Sequence, residues 1–467
     1  MNALCKKVLV IGTGKSGIAA AGLLLANDAE AVLFDENTET DQGAKIEAAK
    51  TKAAEIAKAA GNGEVSDRIS MVCGREALTQ AFLSDITLSV FSPGVPTDLE
   101  LANVIREAGI PIWGEIELAW AVEKGRVLAI TGTNGKTTTT SLLGEIMKRH
   151  AEKVFVVGNI GIPYTEEVAK TSDDSWTVAE ISSFQLETTH GFHPVASAIL
   201  NLTPDHLNRH HTMENYVHAK QDITKAQTKD DVCVLNAEDP YTEEFIARCP
   251  ARVVLFSSGK ELADGYFYKD GTIYFVKNGE KEPLIRMEET NLLGVHNAEN
   301  IMAAFAMAEA AGVARETILA GIKDFHAVAH RIEYVKTVDG VWYYNDSKGT
   351  NPDAAIKAIG AMQRPTWLIG GGYDKDSTYD EWIESFDGKV QGLVLLGQTA
   401  EKIAACARAH GFDRIYMTNS LEEAVSVCRS HAKEGDAVLL SPACASWGMF
   451  DNYEQRGDLF KKLVREF

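Results

Sequence analysis

One local pattern constrains the fold of this sequence more than any other, and it occurs twice. A short apolar strand runs straight into a glycine turn, and the turn opens a helix. The first instance is "KKVLVIGTGKSGIAAAGLLLANDAEAVLFDE" (residues 6–36), and the second is "VLAITGTNGKTTTTSLL" (residues 127–143). A strand that hands over to a helix in this way must return through a crossover to a parallel neighbour, which is a βαβ unit. Further apolar strands are predicted at 154–157, 176–181, 195–200, 366–369, 392–396 and 437–441. Strands alternating with helical stretches predict an α/β fold with parallel sheets covered by helices. Three blocks emerge: residues 1–113, Rossmann-like; 114–327, a central P-loop mononucleotide-binding parallel sheet; and 328–467, again Rossmann-like. Residues 41–61, rich in Ala and Lys, are expected to form a solvated surface helix.

Charge and cysteine usage exclude several functions. The formal net charge is −20, whereas a nucleic-acid partner demands a basic face. Nucleic acid is therefore not expected, though small phosphorylated ligands can still be held by backbone N–H groups and a few Lys or Arg. The seven Cys form no CxxC pair and are odd in number, which suits a reducing, cytoplasmic setting. "MNALCKKVLVIG" has no long apolar segment, and no run of 18 apolar residues occurs. Neither a secretory leader nor membrane insertion is expected.

The second glycine turn has the composition of a phosphate loop. Gly135-Lys136-Thr137 supplies the end of the Walker pattern, while Ile130 stands where its first glycine is expected. Gly132 and Gly135 let backbone N–H groups converge on phosphate oxygens, and the helix that follows adds its positive dipole end. Lys136 can reach β- and γ-phosphates, and the Thr137 hydroxyl suits Mg2+. The first turn, Gly12-x-Gly14-x-x-Gly17 with Asp35 some way on, fits a dinucleotide fingerprint. On its own it says that a diphosphate can approach, not which nucleotide carries it.

Other candidates sit at predicted strand ends, where open α/β sheets bind ligands. Glu180 could hold Mg2+ opposite Thr137. His206 in "LNLTPDHLNRH" would emerge on the same rim; a zinc cluster of His206, His210 and His211 lacks further ligands at metal spacing. Lys220 reads, from its residues alone, as a solvated helical Lys. His296, Asn297 and Asn300 open another helix and suit a base or ribose, or serve as caps. Asp346, Ser347, Lys348 and Thr350, then Lys375, then Ser441 and Ser446, end three successive strands and suggest one rim. Cys444 lies between two alanines with no base beside it, and reads as packing.

The stretches "TGTNGKTTT", "PDHLNRH", "GVHNAEN", "DSKGTNP" and "SPACASWGMFDNYEQRG" together resemble the Mur ligase family of ATP-dependent amide-forming enzymes. The resemblance runs over nearly the whole chain. It implies a three-domain ligase that uses ATP and two Mg2+ ions. "DSKGTN" and "SPACAS" imply UDP-N-acetylmuramoyl-L-alanine and D-glutamate as substrates. Gly14, Lys15, Ser16, Asp35 and Gly94 match uridine-diphosphate positions; Glu36 and Asn37 follow Asp35 where some relatives carry Thr and Arg. For ATP the resemblance implies Gly132, Thr133, Asn134, Gly135, Lys136, Thr137 and Thr138, with Asn300, Arg331 and Asp346. It also implies catalytic roles for Lys136, Asn159, His206 and Lys220. Glu180 and His206 resemble magnesium ligands alongside Thr137, and Lys220 matches a Lys that is carbamylated, which would make it a further ligand. Lys348, Thr350, Lys375, Ser446 and Tyr453 match positions around D-glutamate. A monomer is expected, and substrates on three domains imply closure. Three other readings stay open on the residues: another Mur-type or folylpolyglutamate-type ligase with a different amino acid, a dehydrogenase using the first turn, and a non-enzymatic nucleotide switch.

Overall fold

Val8, Leu9 and Val10 are all fully buried, as a strand covered on both faces requires. They belong to β1 (Lys7–Ile11), the centre of a five-stranded sheet with β2 (Glu30–Asp35), β3 (Ile69–Cys73), β4 (Leu88–Phe91) and β5 (Ile112–Gly114). The order is β3-β2-β1-β4-β5, and every pairing is parallel. The computed structural model describes residues 7–61, 65–326 and 329–467. The first six residues, with Cys5 and the question of a leader, and the expected 327/328 boundary lie outside the described residues.

A second, nine-stranded sheet contains β6 (Arg126–Thr131), β7 (Val154–Gly158), β8 (Trp176–Glu180), β9 (Ala196–Ile199), β10 (Val232–Asn236), β11 (Arg252–Ser257), β12 (Gly265–Lys269), β13 (Thr272–Lys277) and β14 (Glu280–Arg286). β6 lies between β8 and β9, parallel to both. The far edge departs from the expected βα alternation, because β12 and β13 pair antiparallel. The turns Asp270-Gly271 and Asn278-Gly279 have positive φ at both residues, the conformation that closes two-residue hairpins. A third sheet has the order β15-β16-β20-β17-β18-β19. Its strands are β15 (Glu333–Val338), β16 (Val341–Asn345), β17 (Thr366–Gly370), β18 (Val390–Leu395), β19 (Ile415–Met417) and β20 (Ala437–Leu440). It is parallel except at the β15–β16 edge. The fold is thus α/β with three sheets dominated by parallel strands.

The chain forms two compact units, one of residues 1–285 and 299–322, the other of 286–298 and 323–467. In the first, one core cluster runs from Val8 through Val127 and Ala179 to Leu235, joining the first two sheets. The Gln42–Ala59 helix forms as expected and is mostly exposed, but one face is packed. Asp41 caps it at the Ala44 N–H, and Ala49, Ala53, Ile56 and Ala57 are buried. Its small residues let it close on the Lys15–Ala26 helix, where a Cβ on Gly22 would meet Lys52 Cγ at 2.8 Å. Among the described residues no helix is long and apolar enough to cross a membrane.

The first glycine turn separates steric need from openness. A Cβ on Gly17 would stand 1.8 Å from the Gly12 carbonyl oxygen, whereas one on Gly14 would meet nothing within 4 Å. Gly17→Ala is expected to cost at least about 2 kcal/mol of stability, and Gly14→Ala about 0.5 kcal/mol or less. Urea unfolding of both variants checks this; equal midpoints would refute the steric assignment.

Candidate functional site

The phosphate loop takes its shape from the neighbouring strand. Beyond β9, the Asn201 carbonyl accepts the Thr133 N–H at 2.8 Å. Its side-chain oxygen accepts the Asn134 N–H at 2.8 Å, and its amide donates back to the Asn134 carbonyl at 3.0 Å. Thr133 Oγ1 donates to the Thr203 carbonyl at 3.0 Å and lies 2.9 Å from Tyr216 Oη. Gly132 and Gly135 hold φ of 145° and 86°, values that a side chain strains. The Lys136–Lys148 helix starts immediately afterwards, so its first N–H groups and positive end face the loop. Thr137 and Thr138 are buried in its first turn.

Two lysine nitrogens converge on one carbonyl. Lys136 Nζ donates to the carbonyls of Gly132 and Thr133, each at 2.8 Å. Lys220 Nζ donates to the same Gly132 oxygen at 2.8 Å. Lys220 is 2% exposed, which corrects the solvated Lys read from its residues alone. It lies in the last turn of the Met213–Gln221 helix, where Tyr216 and Ala219 are also buried. Burial, and then the Lys136 charge, hold its pKa well below the ordinary lysine value, opposed by the Asp205 and Glu180 carboxylates.

Glu180 closes β8, next to β6. One of its oxygens accepts from the Asn159 amide at 2.8 Å, and the Asn159 N–H bonds to the Glu180 carbonyl at 2.8 Å. The other carboxylate oxygen is buried without a partner. A buried carboxylate oxygen left over in this way, beside threonine hydroxyls and a phosphate loop, fits a hard divalent cation such as Mg2+. His206 lies beyond β9 in a left-handed conformation, φ 54°. Its ring meets Phe184 edge-on at 4.8 Å and sits 3.5 Å from the Asp205 carboxylate. His210 and His211 turn elsewhere, to Ser183 and to Asp98, each at 2.9 Å. Asn300 Oδ1 accepts from Thr139 Oγ1 at 3.2 Å and stands so close to Gly135 that a Cβ there would meet it at 2.3 Å.

In the same unit, the rim of the first sheet gathers Gly14, Lys15 and Ser16 at a helix start, Asp35 at the end of β2 and Gly94 beyond β4. The β1/β4 neighbours mark the switch point of the strand order, where open α/β sheets bind ligands. Lys15 Nζ bonds to the Gly161 carbonyl, and Asp35 accepts from Thr13 Oγ1 and, at 3.0 Å, from the Asn37 N–H. Glu36 pairs with Arg75 at 2.8 Å.

The second unit carries its own rim. Asp346, just past β16, accepts from Ser441 Oγ at 2.7 Å and the Ile332 N–H at 3.2 Å. Arg331 has a buried Nε without a partner. Lys348 Nζ lies 5.1 Å from the Tyr453 ring centre, and Lys375 Nζ lies 5.8 Å from that of Trp447. Thr350 N–H bonds to the Lys348 carbonyl at 2.9 Å, and Ser446 is buried. Cys444 is packed, with Sγ 3.2 Å from Tyr379 Oη and 3.3 Å from Thr399 Oγ1.

Sequence reasoning passed over two organising residues. Asn201 stands in "ILNLTP" as an amide directly after a strand, a signal that could have found it. Arg456, in "EQRG", is 2% exposed. It bonds to Ser347 Oγ at 2.9 Å, the Ser347 carbonyl at 2.8 Å and the Cys444 carbonyl at 3.3 Å. It thereby ties the loop after β16 to the one after β20, and burial lowers its pKa to about 10.

Residues 130–308 match the Mur ligase middle domain, and residues 330–444 match the Mur ligase, glutamate ligase domain. A UDP-N-acetylmuramoylalanine–D-glutamate ligase of Lachnospira eligens is 53% identical over 98% of this chain and 98% of its own length. One of the same name from Lachnoclostridium phytofermentans is 52% identical over 99% of each. Among solved structures, MurF from Acinetobacter baumannii aligns with a TM-score of 0.61 at 17% identity, covering 98% of this chain and 93% of that one. UDP-N-acetylmuramate-alanine ligase MurC of Thermotoga maritima aligns with a TM-score of 0.60 at 19% identity, covering 99% of each. These structures share the fold.

Burial raises the Asp346 pKa to about 6, with Arg331 and the Ser441 hydroxyl pulling it back. The ordinary value is about 3.9, so as pH rises the unfolded chain gives up this proton before the folded one. Asp346 therefore removes stability between about pH 4 and pH 6, and removes no more above that. Urea unfolding across this window should show a decline in the parent that flattens in Asp346→Asn; parallel curves would refute it.

Proposed function

The chain belongs to the Mur ligase family, and on that premise we propose that it joins D-glutamate to UDP-N-acetylmuramoyl-L-alanine at the expense of ATP, a step of peptidoglycan precursor synthesis. The observation that carries this reading is the pair of D-glutamate ligases that match it end to end at 52% and 53% identity. We read the enzyme as a cytoplasmic monomer.

A carboxylate is a poor acylating agent in water at neutral pH. Transfer of the γ-phosphoryl group of ATP to it yields an acyl phosphate, releasing ADP. The D-glutamate amine then attacks the carbonyl carbon, and the tetrahedral intermediate expels phosphate as the amide forms and the amine loses a proton. Little covalent protein chemistry is needed, so positioning and charge stabilisation do most of the catalysis.

The loop from Gly132 to Thr138 supplies N–H donors for the phosphates, and Lys136 follows the charge on the transferring group. On this reading Asn300 binds the adenine base, and Arg331 and Asp346 are the remaining nucleotide contacts. Asn159 and His206 act at the reacting carboxylate. Thr137, Glu180, His206 and a carbamylated Lys220 would hold two Mg2+ ions, which, when bound, neutralise phosphate oxygens as Lewis acids. Gly14, Lys15, Ser16, Asp35 and Gly94 take the uridine diphosphate. Lys348 and Lys375 pair with the carboxylates of D-glutamate, with Thr350, Ser446 and Tyr453 around them.

The state of Lys220 supports its modification. Carbon dioxide reacts with a neutral amine, forming a carbamate and releasing a proton, and burial beside Lys136 favours the neutral form. The product is an anionic oxygen donor where a second cation would be repelled.

The deciding assay is ADP release with UDP-N-acetylmuramoyl-L-alanine, comparing D-glutamate with L-glutamate and other amino acids. Turnover with D-glutamate alone is expected; release with a different amino acid moves the enzyme to another member of the family. Lys136→Ala should lose about 10²–10³-fold or more in turnover with an unchanged circular dichroism spectrum; retained turnover would remove the loop from the chemistry. Lys220→Ala should lose activity that short-chain carboxylic acids partly restore, since they can occupy the carbamate's place. Full activity without them would remove Lys220 from the site.

A further inference from the structure

The second unit carries a cluster of metal-type donors that the ligase reaction does not use. The Asp380–Glu384 and Ala400–Ala409 helices pack together beside β18. Asp380 and Glu384 are four residues apart on the first. Cys406 and His410, the latter the C-terminal cap, are four apart on the second. Four residues is just over one helical turn, so each pair shares a face. One ligand atom each from Asp380, Cys406 and His410 lies within 4.8 Å of the others. His410 Nε2 is 3.0 Å from Asp380 Oδ1, and His410 Nδ1 is 3.6 Å from Glu384 Oε1. Among the described residues this is the one place where three such donors converge.

We propose that Asp380, Cys406 and His410 form a surface site for a borderline transition-metal cation of the zinc class, with Glu384 as the positioning residue that orients the imidazole. Three arguments carry this. First, the donor set is chemically selective: a thiolate, an imidazole and a carboxylate suit Zn2+, whereas Mg2+ and Ca2+ take oxygen ligands. It thus differs from the oxygen-rich set around Glu180 and Thr137. Second, the spacing is close to what a tetrahedral ion needs. Zinc–ligand distances of about 2.0–2.3 Å place neighbouring ligand atoms about 3.3–3.8 Å apart. The carboxylate and imidazole are already nearer than that, and the Asp380 side chain, 62% exposed, is free of the packing that would hinder a rotamer change. Third, the second carboxylate is on the correct side. Metal-bound histidines donate their other ring N–H to an acceptor that fixes the tautomer, and Glu384 faces Nδ1 while Asp380 faces Nε2.

Binding exchanges the Cys406 S–H bond for an S–metal bond and releases one proton to solvent. Three protein ligands leave a fourth position for water. The ion would join the two helices, whose contact is continued by the Phe386–Phe412 ring pair, 5.2 Å between centroids.

The test uses the full chain, freed of metal by chelator and titrated with Co2+, with Zn2+ as competitor. A thiolate-to-cobalt charge-transfer band in the near ultraviolet reports this site and not the candidate magnesium site, whose donors include no sulfur. The parent should show the band at one equivalent and lose it on adding Zn2+, and Cys406→Ala should lack it. Glu384→Gln should keep the band but weaken Co2+ binding about 10–100-fold. No band in the parent, an undiminished band in Cys406→Ala, or unchanged affinity in both Asp380→Asn and His410→Ala would each overturn the proposal.

Discussion

The carbonyl oxygen of Gly132 accepts hydrogen bonds from Lys136 and Lys220 at once, and the first unit is arranged around that fact. Burial first, and then the charge of Lys136 on the same acceptor, disfavour a proton on Lys220. Lys220 thereby becomes the weaker base at the shared site, while Lys136 is also bonded to the Thr133 carbonyl. The arrangement needs a backbone that turns its carbonyl inward while keeping its N–H groups outward. That is why Gly132 holds a φ of 145°, and why Asn201 clamps the next two residues from the adjacent strand. The loop is therefore a property of β6 and β9 together, and its stiffness comes from the sheet rather than from its own length.

This explains which parts were legible in the sequence. The strand, the glycines and Lys136 lie in one short window, so local rules suffice for them. The parallel sheets were legible for the same reason, because each strand-to-helix handover is local. Glu180 could be placed at a strand end, but its role depends on β8 being the neighbour of β6, and strand order is not written in any one segment. Lys220 was the least legible. Val217 and Ile223, three residues before and after it, are buried, but an apolar pair on one side of a short helix does not say that the Lys between them is buried too; that follows from the bond of its ammonium nitrogen to the Gly132 carbonyl. The resemblance to a known family singled out the residue, and the structure shows it buried and bonded to the Gly132 carbonyl. The antiparallel edge formed by β12 and β13 had a usable signal in Asp270-Gly271 and Asn278-Gly279, and an exclusive reading as alternating strands and helices misses it. The Gln42–Ala59 helix was legible as a surface helix, but its packed face was not, because alanines look neutral in a polar stretch, yet a stripe of them is what permits close helix packing.

The second unit solves a related problem with different means. Its polar rim is held from within by Arg456, a cation almost without exposure, satisfied by carbonyl and hydroxyl oxygens rather than by a carboxylate. A buried guanidinium has five donors in a fixed plane, so it can tie two loops in one geometry where a lysine would tie one. Asp346 is held nearby with its charge penalised by burial and only partly offset by Arg331. Each of these groups is costly in isolation; together they hold the loop after β16, which carries Lys348, in a fixed register against the strand ends beside it.

The charge distribution then follows from sheet geometry. The chain has 46 Lys and Arg against 66 Asp and Glu, so on average it repels the anionic ligands of this reading. Yet Lys15, Lys136, Lys348 and Lys375 each follow within a few residues the carboxyl end of a parallel strand: β1, β6, β16 and β17. In a parallel sheet all such ends lie on one edge, where the following helices also begin and point their positive dipole ends. Each of these lysines acts with the aligned backbone N–H groups of its own sheet, whereas a lysine elsewhere on the surface would be screened singly. Net charge therefore argues against a nucleic-acid partner but says little about small anionic ligands. The direction of its strands says more, because it decides where a small number of cations count.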